Sequence, residues 1–222
     1  MLQRIFDIVF SFIALLILAP LLIPIVCILK FTGEGEIFYR QMRVGKNGSI
    51  FGVLKFATML KDSPNISTGT ITVKHDPRVL PFGRFLRKTK INELPQLLNI
   101  LSGKMSVIGP RPLTIETFNA YPERVKNKII SIRPGLSGVG SIVFRDEESL
   151  LQDTDNASEF YENIIAPYKG KLELWYVDNR NILVYFLLII STIYVLISPK
   201  SKFLWTLLRD LPLPEDERLK FR

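Results

Sequence analysis

Cysteine and histidine are almost missing from this 222-residue sequence, with one of each, Cys27 and His75. A lone cysteine excludes an intramolecular disulfide, and its default place is a buried apolar one. His75 lies in a polar stretch and reads as an exposed loop residue rather than a catalytic base. No Ser/His/Asp triad, P-loop or dinucleotide fingerprint is present. Acid is also scarce: 21 acidic residues stand against 29 lysines and arginines, a net charge of +8. That balance points to an anionic partner, whether phospholipid, nucleotide or nucleic acid. Nucleic acid is the weaker choice, because zinc spacing, a helix-turn-helix pattern and an aromatic-rich RNA motif are all lacking.

What the chain has is apolar runs. Ile5 to Phe31 carries one charged residue before Lys30, Asp7. Twenty-seven helical residues reach roughly 40 Å, beyond a hydrocarbon core of about 30 Å. Only Arg4 is basic ahead of the run, and the run is too long for a secretory signal core. Pro20 and Pro24 interrupt it, and each removes a helix hydrogen bond. The segment is therefore either a kinked span or a helix that enters the bilayer and returns to the same face. A second uncharged run, 182–198, is at the short limit for a span. Basic residues on both of its sides fit a helix lying in the interface equally well.

Between them, residues 32–180 read as one soluble domain, mainly helical with a small β-hairpin, an α+β arrangement. EIFYRQMRVGKNGSIFGVLKF places two short strands around Gly45-Lys46-Asn47-Gly48, a strong hairpin signal. The polar stretch 61–77 reads as a mobile loop. Helical patterns follow at about 82–91, 93–101, 114–131 and 157–176. The division expected is 1–31 as a membrane helix, 32–180 as the catalytic domain, and 181–222 as a membrane-associated helix with a basic tail.

KTKINELPQLLNIL, residues 88–101, holds the chemistry-bearing pattern. Pro95 restricts where a helix can begin. With Asn92 as N-cap, Glu93 is N1 and Pro95 is N3, and Leu94, Leu97, Leu98 and Leu101 face the core. A plain cap explains this much. The same helix start, following Arg84, Arg87, Lys88 and Lys90, also suits an anion. An ionised Glu93 there can attack phosphorus or hold Mg²⁺ against phosphate oxygens.

Several ordered blocks extend the pattern: FYRQMRVG (38–45), KFATM (55–59), HDPRVLPFGRFLRKTKINELPQLLNIL (75–101), MSVIGPRPL (105–113) and RPGLSG (133–138). Together they resemble the bacterial sugar transferases, the small monotopic phosphoglycosyl transferases, over nearly the whole chain. The resemblance implies transfer of a phosphosugar from a UDP-sugar to undecaprenyl phosphate, with UMP released, at the cytoplasmic face of the bacterial inner membrane. It implies Mg²⁺ as cofactor and a re-entrant N-terminal helix whose break is Ala19-Pro20. The expected partners are UDP-sugar, undecaprenyl phosphate and the lipid bilayer, with a second copy of the chain and downstream glycosyltransferases beyond them, and no nucleic acid.

The family places an Asp-Glu pair before Leu-Pro-Gln, with the Asp as nucleophile and the Glu helping to hold the metal. This chain has Asn92 at the nucleophile's position. Three readings follow: Glu93 attacks, the lipid phosphate attacks directly while Asn92 orients, or the chain is an inactive homologue that binds UDP-sugar or scaffolds the pathway. We read the chain as active. A generic basic membrane anchor is a further alternative, but it leaves the ordered blocks unexplained. By resemblance, Lys55, Arg78, Arg87, Arg111 and Arg145 match basic positions for substrate phosphate. Gly-Pro-Arg-Pro is a stiff turn that fixes Arg111. Glu173 stands where Asp is usual and is a candidate second metal contact. Ala57, Lys104 and the block GLSGVGSI also depart from the family pattern.

Overall fold

The computed structural model describes residues 2–63, 76–145, 147, 150, 156–198 and 203–219. His75 and most of the polar stretch 61–77 lie outside the described residues. Helix α1 spans Leu2–Phe31, with Pro20 and Pro24 inside it. Strands β1 (Phe38–Val44) and β2 (Ile50–Phe56) form the expected antiparallel hairpin, Val44 opposite Ile50. Its turn is a 3₁₀ turn, Lys46–Gly48, in which Asn47 and Gly48 both take positive φ. Asn and Gly are the residues that tolerate this conformation.

After the hairpin come α2 (Pro81–Lys88), a 3₁₀ turn Ile91–Glu93, α3 (Gln96–Leu101), β3 (Ser106–Ile108), α4 (Ile115–Asn119), α5 (Glu123–Ile129), β4 (Gly135–Ser137) and α6 (Val139–Val143). The C-terminal part holds α7 (Ala157–Phe160), a π-helical segment Tyr161–Ile165, α8 (Ala166–Asn179), α9 (Ile182–Ile197) and α10 (Phe203–Leu207). β3 and β4 pair in parallel, Ser106 with Gly135 and Ile108 with Ser137. That second small sheet brings MSVIGPRPL and RPGLSG together backbone to backbone. A Cβ on Gly135 would lie 2.1 Å from the Gly109 nitrogen, so Gly135 has to be glycine for the two segments to touch.

Three expected helices differ. The 114–131 pattern is two helices, because Pro122 has no N–H to continue α4 and restricts Tyr121 before it. The 157–176 pattern ends at Asn179 and contains the π segment. There Ala166 donates to the Tyr161 carbonyl, and Pro167 follows at once. The third is the expected start at Asn92: Asn92 is not an N-cap. Residues 90–98 turn through three-residue hydrogen bonds, Glu93 to Lys90, Leu94 to Ile91, Leu97 to Leu94 and Leu98 to Pro95. Pro95 has no N–H for the Ile91 carbonyl, and Lys90 is held in the left-handed region at φ 60°. The α-helix proper begins only at Gln96. Its inner face is Gln96, Leu97, Asn99 and Ile100, while Leu98 is exposed.

Helix α1 is long and apolar enough to cross a bilayer. One stripe of it nevertheless rests on the domain along its length. Arg4 donates to the Ile100 and Leu101 carbonyls at 2.6 and 2.9 Å. Leu15 and Leu18 pack on Phe51, Val53, Leu97 and Ile100, and Ile25 and Leu29 pack with Phe56 and Leu86. Both ends of α1 thus lie on the same body, which makes the chain monotopic. The other stripe, including Phe12, Leu16, Ile17 and Ile23, is exposed and apolar, with Ile17 71% exposed. Cys27 belongs to this outer stripe and is exposed rather than buried, because α1 turns only its other stripe to the protein core.

Helix α9 is equally two-faced. Val184, Tyr185, Leu188 and Val195 enter the largest core cluster, with Leu172 and Tyr176 of α8, while Leu183, Ile190, Ile193 and Ile197 are exposed. Sixteen residues give about 24 Å of helix, short of a span, and α9 packs beside α1. Phe6 and Phe10 of α1 meet the Phe186 ring edge-on.

Asp7 fixes α1 to the domain. It is 2% exposed and accepts from Ser106 Oγ at 2.7 Å, Val107 N at 2.9 Å and Tyr185 O–H at 3.0 Å. Asn99 does the same for α3, accepting from Leu54 N at 2.8 Å and donating to the Gly52 carbonyl at 2.9 Å. Asn99→Asp turns the donor into an acceptor facing a carbonyl. It is expected to destabilise the fold by about 2–4 kcal/mol, read as a drop in the thermal midpoint of the detergent-solubilised protein, with Asn99→Gln intermediate.

Candidate active site

The turn Ile91–Glu93 delivers Glu93 to a small cavity lined also by Arg43 of β1, Lys55 of β2, Gln96 of α3 and Arg111 of the Gly-Pro-Arg-Pro segment. Glu93 is the only acid in that lining. Its carboxylate lies 4.0 Å from Lys55 Nζ and 3.8 Å from an Arg111 guanidinium nitrogen. These are ion-pair distances but too long for hydrogen bonds, so the Lys55 and Arg111 N–H groups still have donors to offer a ligand. Arg43 is more committed, donating to Gln41 Oε1 and the Pro112 carbonyl. The cavity holds about 10 Å³. Admission of any ligand larger than a water molecule therefore requires these long side chains to swing aside.

Charge controls the site. Burial pushes the Glu93 carboxyl up, but Arg111, Lys55 and Lys90, with a hydrogen bond from Gln96, outweigh it and hold the pKa at about 2. Burial lowers Lys55 to about 8 against the pull of Glu93, and the nearby Arg111, Arg43 and Arg87 charges lower it further. Burial, helped by Arg111, brings Arg43 down to about 10. Glu93 raises Arg111.

A second, buried carboxylate stands behind Arg111. Glu173 of α8 is 3% exposed, and its Oε1 is 3.5 Å from the Arg111 backbone N. Burial raises its pKa to about 7, against that backbone contact and the Lys169 charge. Lys169, one turn earlier, is also buried. It bonds Glu147 at 2.7 Å and lies over the Phe144 and Tyr161 rings. The π segment brings Tyr161 beside Arg43 and Arg111, where it shares a hydrogen bond with Tyr121. π-helical turns recur at functional positions.

The resemblance-based positions separate. Glu93, Lys55 and Arg111 converge on the cavity, and Glu173 backs Arg111 from behind. Arg87 contacts Met59 Sδ and acts on Lys55 through its charge. Arg78 is buried, paired with Asp76 at 2.6 Å and donating to the Ser63 carbonyl at 2.7 Å, and does not line the cavity. Arg145 donates to the Val195 carbonyl of α9. Asn92 is 7% exposed, its Oδ1 has no hydrogen-bond partner, and it does not line the cavity. The sequence reasoning missed Arg43, Gln96, Lys169 and Tyr161. Arg43 lies inside the quoted block FYRQMRVG, and strand alternation with Gln41 was the available signal.

Two departures from the family pattern meet in space. A Cβ on Gly140, within GLSGVGSI, would lie 2.4 Å from Glu173 Oε1. The longer acid at 173 fits because residue 140 has no side chain.

A monotopic domain with an exposed apolar helix stripe, and with one ionised carboxylate among cations that retain free donors, suits a phosphorylated substrate. The family described as bacterial sugar transferase matches residues 1–199, and the chain belongs to that family. Among curated relatives, the exopolysaccharide production protein PSS of Rhizobium leguminosarum bv. phaseoli is 36% identical over 197 residues, covering 86% of this chain and 93% of the relative. The exopolysaccharide production protein ExoY of Rhizobium meliloti (strain 1021) is 34% identical over 177 residues, covering 73% and 78%. The UDP-glucose:undecaprenyl-phosphate glucose-1-phosphate transferase of Escherichia coli (strain K12) is 34% identical over 163 residues, covering 72% of this chain and 35% of that longer protein.

Two outcomes follow. A folded-state pKa of about 7 lies above the ordinary carboxyl value of 4.5, so Glu173 binds its proton more tightly in the folded state. Its contribution is complete below pH 4.5 and is lost as pH rises to 7. Glu173→Gln is therefore expected to raise stability at pH 8 by on the order of 2 kcal/mol and to change little at pH 4.5, as measured by denaturant titration at both pH values. Gly140→Ala should destabilise the protein, and Gly140→Ala combined with Glu173→Asp should recover most of that loss in a double-mutant cycle.

Proposed function

We propose that the chain transfers a phosphosugar from a UDP-sugar to undecaprenyl phosphate at the cytoplasmic face of the bacterial inner membrane, releasing UMP and starting a surface polysaccharide. The observation that carries this reading is the Glu93 carboxylate set among Arg43, Lys55 and Arg111 on a domain that bears the exposed apolar stripe of α1. The name of the Escherichia coli relative describes the same class of reaction. A phosphate oxygen of the acceptor attacks the phosphorus that bears the sugar. The bond from that phosphorus to the bridging oxygen breaks, and UMP leaves with that oxygen.

Lys55 and Arg111 meet the diphosphate with point charge and planar fork respectively, and Arg43 flanks them. Glu93 keeps the three cations together before substrate arrives. The Glu93 carboxylate is ion-paired with Lys55 and Arg111 at 4.0 and 3.8 Å, so direct attack by the lipid phosphate fits this site better than attack by Glu93. Asn92 acts by packing and orienting the turn.

Magnesium prefers hard oxygen donors and is commonly held by one or two carboxylates plus substrate phosphates. Among the described residues there is no cluster of three acidic or histidine side chains. Glu93, the one ionised carboxylate at the cavity, would be the single protein ligand, with substrate phosphates completing the site. Mg²⁺ would supply charge neutralisation of the diphosphate there. Glu173, protonated below about pH 7 and turned to the Arg111 backbone, suits a supporting role better than that of ligand. Ala19 and Pro20 lie inside one continuous helix, Leu2–Phe31, and the re-entrant break that the resemblance assigns to them is part of this proposal.

UMP release that requires both a UDP-sugar and a polyprenyl phosphate is the expected result. Lys55→Gln should cut kcat/KM by about 10²-fold or more. Because Lys55 titrates at about 8, activity should decline above that pH, and Lys55→Arg should move the decline upward. Release without the acceptor, or Lys55→Gln at full activity, contradicts the reading. Asn92, a neutral amide at the position where the family has its nucleophile, motivates one alternative, a binding homologue without turnover. In that case no UDP-sugar yields UMP and Asn92→Asp gains activity.

A further inference from the structure

We propose that the cavity between the N-terminal ends of α1 and α9 binds the phosphodiester headgroup of an anionic glycerophospholipid. The cavity has a volume of about 410 Å³, within the range of a small-molecule pocket. It shares no lining residue with the Glu93 cavity. The inference therefore stands apart from the transfer reaction.

Four cations line it: Arg4, Lys46, Arg133 and Arg180. Two are partly engaged by the fold. Arg4 donates to the α3 carbonyls, and Arg133 Nε donates to the Gly103 carbonyl at 2.7 Å. The side chains of Lys46 and Arg180 have no acidic partner among the described residues. The only acid in the lining is Asp7, and its oxygens are already taken by Ser106, Val107 and Tyr185. Net positive charge is thus left facing the space. Two long helices add to it, because Leu2 and Gln3 begin α1 while Asn181 and Ile182 begin α9 at the same cavity. Helix N-terminal ends carry partial positive charge.

The rim decides which anion. Leu2 is 54% exposed and Ile182 37% exposed, and each starts the outward apolar stripe of its helix. A cationic cavity that opens where two lipid-facing stripes begin lies at the depth of lipid phosphates. Its volume exceeds that needed for a free phosphate, and its apolar rim suits the first carbons of acyl chains.

The test uses the full-length protein in nonionic detergent and measures binding of monomeric dihexanoyl phosphatidylglycerol against dihexanoyl phosphatidylcholine by titration calorimetry. The expected preference for the anionic lipid is tenfold or more. Lys46→Gln combined with Arg180→Gln should bring it below twofold. Both residues are exposed, so the fold is not at risk, and circular dichroism checks this. A charge-matched pair elsewhere on the surface, Lys104→Gln with Arg124→Gln, should stay within twofold of the parent. Equal binding of the two lipids overturns the proposal, as does a preference that survives Lys46→Gln/Arg180→Gln. Displacement by inorganic phosphate at equal concentration makes this a free-anion site and also overturns it. Tighter binding of a short polyprenyl monophosphate makes it an acceptor site, with the same consequence. The readout needs no turnover, so it separates from failure of the transfer reading.

Discussion

Three cations that repel one another are held at one point by a single carboxylate. Arg43, Lys55 and Arg111 come from three different segments; Arg111 lowers the proton affinity of Arg43, and both arginines lower that of Lys55. Only Glu93 offsets that repulsion within the cavity lining. Removing one partner of such a partly buried set leaves uncompensated charge, which is far more damaging than an exposed pair would suggest. The rest of the central domain can be understood as what keeps Glu93 in place. Asn99 ties α3 to β2, Arg4 closes the last carbonyls of α3 from the membrane helix, and Lys90 takes a strained left-handed conformation so that the turn can point inward. Strain of this kind is tolerated where function over-determines the geometry.

The membrane helix and the site are therefore one mechanical system. Arg4 and Asp7, one turn apart on α1, reach α3 and β3 respectively. β3 in turn pairs with β4 and leads into the segment that carries Arg111. The outer stripes of α1 and α9 are exposed and apolar, and the same two helices grip the strands and helix that position the cations.

Much of this was legible in the sequence. The Asn-Gly hairpin, the long apolar N-terminal run and the ordered motif blocks each predict what is observed. Local chemistry governs them: positive φ at Asn47 and Gly48, and apolar length in α1. The start of α3 was not legible, because a good N-cap at Asn92 lost to the missing N–H of Pro95 and the turn at Lys90. Cys27 was misplaced because an apolar residue can face lipid as readily as a core. Arg78 and Arg145 have the right residue type but are bound to Asp76 and to the Val195 carbonyl, contacts that sequence order cannot show. The fit of Glu173 against Gly140 likewise required the two segments to be brought together by the fold.

The central claim is that Glu93 organises charge and does not form the bond to phosphorus. Isotope exchange between labelled UMP and the UDP-sugar that supports turnover, with no lipid acceptor present, tests it most directly. Direct transfer to the lipid phosphate predicts no label in the UDP-sugar, because no enzyme-bound phosphosugar exists to return it. Exchange at a rate comparable to turnover would contradict the account and require a covalent intermediate on the protein.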